Sequence, residues 1–255
     1  MIYGIQMSIL IEDLIKYICL FLSDADKINY LSINQNMHLL KNSIRFFDLI
    51  SNDKIINLQY YKQFSNLLWI YDKLISKDAL PLNLTHLTFD SGFNQDIKDA
   101  LPLNLTHLTF GYSFNQDIKG ALPLNLTHLT FGYCFNKDIK SALPLNLTHL
   151  TFGNRFNKDI KGALPLNLTH LIFGGYFNQD IKGALPLNLT HLTFGYCFNQ
   201  DIKGTLPLSL THLTFGWNFN QIIGDNILKS LIELKLSKNY PHAFSISMTS
   251  KVIFW

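Results

Sequence analysis

Apolar positions recur along most of this chain with a single spacing. The unit ALPLNLTHLTFGYSFNQDIKG, residues 100–120, returns every 21 residues from starts at Ala79, Ala100, Ala121, Ala142, Ala163, Ala184 and Thr205, with no insertion or deletion. A decayed half-copy follows, in which Leu231, Leu234, Leu236, Tyr240 and Phe244 stand 21 residues after Leu210, Leu213, Phe215, Phe219 and Ile223. Within a copy, the spacing of Leu84, Leu87 and Phe89 predicts a short strand that turns Leu87 and Phe89 inward and His86 and Thr88 to the other face. Phe93 and Ile97 supply two more inward anchors. A proline and a glycine in nearly every copy leave no room for a three-turn helix. Helical-pair repeats, which need about 33 to 47 residues, are excluded by the period. A 21-residue unit cannot bury its own apolar face, whereas stacked units share one core, so residues 79–224 are expected to form a parallel β-solenoid.

Stacking turns each position into a column. Phe93 and its equivalents, through Phe156 to Phe219, predict a phenylalanine spine, and Asn94 through Asn220 predict an amide ladder that satisfies backbone groups at the turn. Asp96 and Lys98 flank the inward Ile97, so their copies are expected to build adjacent acidic and basic ladders that attract one another.

The flanks follow other patterns. Leu10, Leu14, Ile18 and Leu22 recur at i, i+4, with Ile11 and Ile15 beside them, and predict an amphipathic helix. Ser23-Asp-Ala-Asp26 stops it and caps the next helix. Residues 44–78, with Phe46, Phe47, Leu58, Leu67, Leu68, Trp69 and Leu74, are helix-compatible and expected to cover the first coil. Residues 225–255, ending on the apolar run 251–255, are expected to close the last.

Composition narrows the class of function. Of 255 residues, 47% are hydrophobic and 15% charged, which excludes intrinsic disorder. The net charge of +3 divides as 0 over residues 1–78, +1 over 79–224 and +2 over 225–255, without a basic block, so neither nucleic acid nor a membrane surface is an expected partner. Cys19, Cys134 and Cys197 make no Cys-x-x-Cys pair, which points to a reducing cytoplasm without a disulfide framework or thiolate zinc site. Glu12 and Asp13 interrupt the first apolar stretch, so it does not read as a signal peptide.

The candidate chemistry sits in columns. His128, His149 and His170 are the middle of seven histidines on the outward side of the strands, where imidazoles about 4.8 Å apart raise the question of metal binding. No Cys, Asp or Glu joins them within the strand, so a surface column copied with its repeat is the preferred reading, and no metal or cofactor is expected. Mutual repulsion in the column is expected to lower its pKa values. Tyr112, Tyr133, Tyr196 and Trp217 share a second column, where substitutions between copies concentrate; they either anchor a protein partner or merely cover the turn, and together with His128, His149 and His170 they are the candidate partner-binding residues. The Asn-Leu-Thr triplets at Asn83 and its equivalents match a glycosylation pattern that, without a secretory signal, is an accident of the repeat. Every Ser, His or Asp candidate for catalysis is one of several near-identical copies, whereas a catalytic residue needs a unique environment, so no enzyme is expected.

The repeat, L-P-x-x-L-x-x-L-x-F-G-x-x-F-N-x-x-I, resembles the FNIP repeat, a relative in pattern of leucine-rich repeats found in amoebae and the large viruses that infect them. The family often has proline before the isoleucine, where this chain has Asp96, Asp117, Asp138, Asp159, Asp180 and Asp201. The stretch from Leu10 to Leu31 resembles the start of an F-box, a small helical module that docks on a Skp-type adaptor of a cullin ubiquitin ligase. Family members usually have proline where Ile11 stands. The resemblance implies that Leu10, Ile11, Leu14, Ile15, Ile18 and Leu22 contact that adaptor; a helical pair that only caps the solenoid shows the same pattern. The expected organisation is α+β: an F-box-like module over 8–43, a helical linker or cap over 44–78, seven FNIP-type repeats of a leucine-rich-repeat-like parallel solenoid over 79–224, and a degenerate repeat with a cap over 225–255. The function this implies is a cytoplasmic substrate-recognition adaptor linking an unknown target protein to the ligase, with a repeat-only interaction scaffold as the alternative.

Overall fold

A computed structural model describes residues 12–33, 35–55, 57–69, 80–242 and 252–255. Eleven strands make one parallel sheet in sequence order: β1 (Ile50–Ser51), β2 (Asn66–Trp69), β3 (His86–Phe89), β4 (His107–Thr109), β5 (His128–Thr130), β6 (His149–Thr151), β7 (His170–Ile172), β8 (His191–Thr193), β9 (His212–Thr214), β10 (Glu233–Leu236) and β11 (Val252–Phe254). From β3 to β10 the register is an unbroken shift of 21, so that His86 pairs with His107 and His212 with Glu233. In β4, β5, β6, β8 and β9 the central leucine is buried between two half-buried neighbours, as period two requires, and in β7 Ile172 takes the outward place and is exposed.

The interior holds two phenylalanine columns where the sequence suggests one spine. Phe152, from the strand end, lies face to face with Phe156 at 3.8 Å, and this pairing repeats in every coil from Phe89–Phe93 to Phe215–Phe219. Leu147, Phe156 and Ile160 are fully buried. Spacing between coils widens with depth, from 4.1 Å between His149 and His170 to 5.6 Å between Phe152 and Phe173 and 6.1 Å between Phe156 and Phe177. The coils are therefore wedges, and the histidine face is the concave one.

Polar groups at the turns are paired across coils. The Asn94 side-chain oxygen accepts the Asn115 amide at 2.8 Å, and the ladder continues to Asn220 on Asn199 at 3.0 Å. The Asn104 side chain donates to the Leu82 carbonyl at 2.9 Å, as Asn125, Asn146, Asn167 and Asn188 do in their coils, so these Asn-Leu-Thr asparagines have a structural duty. The aspartates replace the family's proline by another route: Asp96 Oδ1 accepts the Lys98 amide at 2.9 Å and fixes the turn within its own coil. This corrects the expected charge ladders, since among the described residues one such pair crosses between coils, Lys140 to Asp159 at 3.1 Å.

Glycines mark two positions. A Cβ on Gly153 would land on the carbonyl of Gly132, so the backbones there approach too closely for any side chain. Gly120, Gly162, Gly183 and Gly204 have φ of 66° to 70°, and Ser141 holds the same place at 56°. Ser141→Gly is therefore expected to stabilise the protein by about 0.5–1 kcal/mol, relief of left-handed strain outweighing glycine's entropy; a lower melting temperature would contradict it.

The flanks differ from expectation. Instead of helix, residues 66–69 form β2, with Leu67 and Trp69 in register with Leu87 and Phe89, because these two apolar residues fill the positions the repeat requires. Phe46 and Phe64 stack at 4.7 Å and begin the core one coil earlier. At the other end Tyr240 stacks on Phe219 at 6.0 Å, and β11 pairs with β10. Phe244 lies outside the described residues. No helix among the described residues is long and apolar enough to cross a membrane.

Candidate interaction surfaces

The concave face carries the histidine column. Neighbouring rings stack at 4.1 Å, nearly parallel, from His86 through His128, His149 and His170 to His191, and at 4.3 Å onto His212. In every coil the preceding threonine hydroxyl lies 2.9 Å from the imidazole Nδ1, as Thr127 does at His128. The Thr106 carbonyl already accepts the amides of Thr127 and His128, at 2.9 and 3.0 Å. The Thr127 hydroxyl reaches the same carbonyl at 3.1 Å, so it bridges the backbone of the preceding coil and the ring, and the imidazole tautomer sets the direction of its bond to Nδ1.

All imidazoles from His86 to His191 are held below the ordinary histidine value, first by burial. The expected repulsion comes second: at His107, lowered to about 4, the neighbours His86, His128 and His149 add to the effect of burial. Parallel rings with Nδ1 engaged cannot converge on one ion, and among the described residues no group of three His, Cys, Asp or Glu is placed to hold a metal.

The aromatic column is interrupted. Tyr112 and Tyr133 stack at 4.7 Å, but Asn154 and Gly175 separate them from the exposed Tyr196 and Trp217. Tyr176 stands one residue further on, beside Arg155, whose guanidinium lies 5.5 Å from the centre of the Tyr133 ring. Beyond these expected positions is a column that the sequence reading misses. Leu82, Leu103, Leu124, Leu145, Leu166, Leu187 and Leu208 are 73–81% exposed, the most open apolar line on the solenoid. The signal is the leucine after each proline, which strand alternation cannot orient because it lies in a turn.

At the N-terminal end, residues 12–19 are helical, and Ser23 caps the helix Asp24–Tyr30 by accepting the Asp26 amide at 3.2 Å. Leu10 and Ile11 lie outside the described residues. The expected single face of this helix is divided. Ile15 and Cys19 pack into the core, Ile18 and Leu22 are half-buried, and Leu14 is exposed with Tyr17 and Phe21. Cys19 belongs to the same buried cluster as Leu31 and Ile44. Asp24 anchors the module through a buried 2.6 Å ion pair with Lys27 and a 2.6 Å bond from the Asp48 amide. A depression of about 340 Å³ beside this helix is lined by Cys19, Leu20, Lys27 and Phe47 among others.

A family model described as FNIP Repeat matches residues 71–113, 93–134, 114–155, 135–165, 156–197 and 198–239, a continuous 71–239 when the overlaps are merged. Comparison with curated proteins gives no match. Among solved structures, the chain is similar to that of CroV588, a giant-virus protein described as a novel circular LRR protein, with 41% identity and a TM-score of 0.63. That alignment covers 76% of this chain and 33% of CroV588, so the chain spans about a third of that protein's length.

Proposed function

We propose that this chain, which belongs to the FNIP repeat family, is a non-enzymatic recognition protein whose solenoid holds a target and whose N-terminal helices dock on a Skp-type adaptor of a ubiquitin ligase. The observation that carries the docking half is the uncovered apolar stripe Leu14, Tyr17, Phe21, at helical spacing i, i+3, i+7, with Tyr17 and Phe21 edge to face at 5.3 Å. A soluble module gains nothing by exposing such a stripe unless a partner covers it. Of the residues that the F-box resemblance implies, Leu14 faces outward and Ile18 and Leu22 are half-open, while Ile15 serves the core. The solenoid half rests on repeat architecture, which offers long exposed columns.

The burial of Ile15 and Cys19 in the same core as the first coils favours a second reading, in which the helices are only a cap. One experiment separates the two. Leu14→Ala with Phe21→Ala removes exposed side chains, so it should leave the melting temperature within about 2 °C and weaken adaptor recovery on the order of a hundredfold. Equal recovery with the variant removes these residues from the interface, and no recovery with the wild type leaves the cap reading.

A further inference from the structure

The charge of the solenoid is concentrated in two coils. Residues 121–162 carry Lys137, Lys140, Arg155, Lys158 and Lys161 against Asp138 and Asp159, a balance of +3, whereas the rest of 79–224 sums to −2. Two of these cations replace a residue with a structural duty. In other coils a glutamine at this place donates to the asparagine ladder, as Gln116 does to Asn94 at 3.0 Å, Gln179 to Asn157 at 2.9 Å and Gln200 to Asn178 at 3.0 Å. Lys137 and Lys158 make no such bond and are exposed. A substitution that forfeits a repeated hydrogen bond twice, in adjacent coils, without a gain inside the fold marks a position kept for something outside it. Between the two turns lies a depression of about 400 Å³ lined by Asn136, Lys137, Asp138, Lys140, Lys158 and Asp159.

Its carboxylates are already engaged. Asp138 accepts the Lys140 amide at 3.0 Å, and Asp159 accepts the Lys161 amide at 2.9 Å and the Lys140 ammonium at 3.1 Å. Lys137, Lys158 and Arg155 remain as surplus positive charge. On the same turns Arg155 lies over Tyr133, its guanidinium 5.5 Å from the ring centre, and Tyr176 is exposed in the next coil.

We infer that this ridge binds an acidic polypeptide segment bearing an aromatic residue, with carboxylates on Lys137 and Lys158 and the ring against Tyr133 and Tyr176. The inference rests on reading the solenoid as the target-binding part. An extended peptide sets same-face side chains about 7 Å apart, so alternate carboxylates can reach ammonium groups on neighbouring coils and pass between the aspartates. A nucleic-acid duplex presents a charge about every 1.7 Å and would meet Asp138 and Asp159 as well, on a patch only two coils wide.

The test measures fluorescence anisotropy of a short labelled peptide of alternating glutamate and tyrosine, on the full chain and on a Lys137→Gln, Lys158→Gln variant. The variant restores the glutamines of other coils, so it should fold with an unchanged or higher melting temperature. Affinity is expected to fall about tenfold in the variant, to fall similarly for a glutamine–tyrosine peptide, and to weaken at high salt. Equal affinity of both chains, no binding by the wild type, or preference for an oligonucleotide of equal charge overturns the inference. A target protein recovered equally by wild type and variant would leave the target-binding reading standing and remove only the ridge.

Discussion

Phe156→Ala is expected to cost about 3–5 kcal/mol, the largest effect of any single side-chain truncation in the repeats. Phe156 is fully buried, lies 3.8 Å from Phe152 within its coil, and meets Phe135 and Phe177 at 6.2 and 6.1 Å in the coils on either side. Truncation therefore opens a cavity at three contacts at once, and the neighbouring coils, held by backbone ladders on both sides, cannot collapse into it. Because stability in a solenoid is a sum of nearest-neighbour terms, a weak fourth coil should also uncouple the halves. Urea titration should give a lower midpoint and a broadened or divided transition, whereas Lys119→Ala, at an exposed turn, should stay within about 0.5 kcal/mol of wild type. A Phe156→Ala midpoint equal to that of the lysine variant would contradict the packing described.

Acid is expected to destabilise the protein well above the range in which carboxylates titrate. The histidines from His86 to His191 have folded pKa values below the ordinary 6.5, with His107 at about 4. Below pH 6.5 the unfolded chain takes up protons that the folded chain refuses, so stability falls as pH falls. The loss begins near 6.5 and continues towards the folded pKa values. Each refused proton contributes up to about 1.4 kcal/mol per pH unit, reduced here because the rings are partly solvated. Over the column, a loss of a few kcal/mol between pH 7 and pH 4.5 is expected in urea titrations. His107→Gln with His149→Gln should flatten that slope. A stability that is constant over this range would mean that the rings are not stacked as described.

How much of this was legible in the sequence depends on whether the spacing was 21. The coils from β3 to β10 keep that shift, so their strands, leucines and asparagine ladder follow from periodicity alone. Outside them the shift changes: Ile50 pairs with Leu67, Asn66 with His86, and Leu234 with Val252, offsets of 17, 20 and 18. A search at one period is blind to these coils, and Leu67-Leu68-Trp69 reads equally well as helix. For the surfaces, sequence identifies which residues share a column but not how the rings meet. That Thr127 holds Nδ1 of His128, or that Cys19 rather than Leu14 faces the core, depends on distances that residue order does not contain.

The claim that the chain joins a target-binding solenoid to a ligase adaptor is tested most directly by mixing it with a purified Skp-type adaptor and measuring mass by light scattering after size exclusion. The account predicts a single species with the mass of one chain plus one adaptor, lost in the Leu14→Ala, Phe21→Ala variant. Two separate peaks, each with the mass of its free protein, would contradict it.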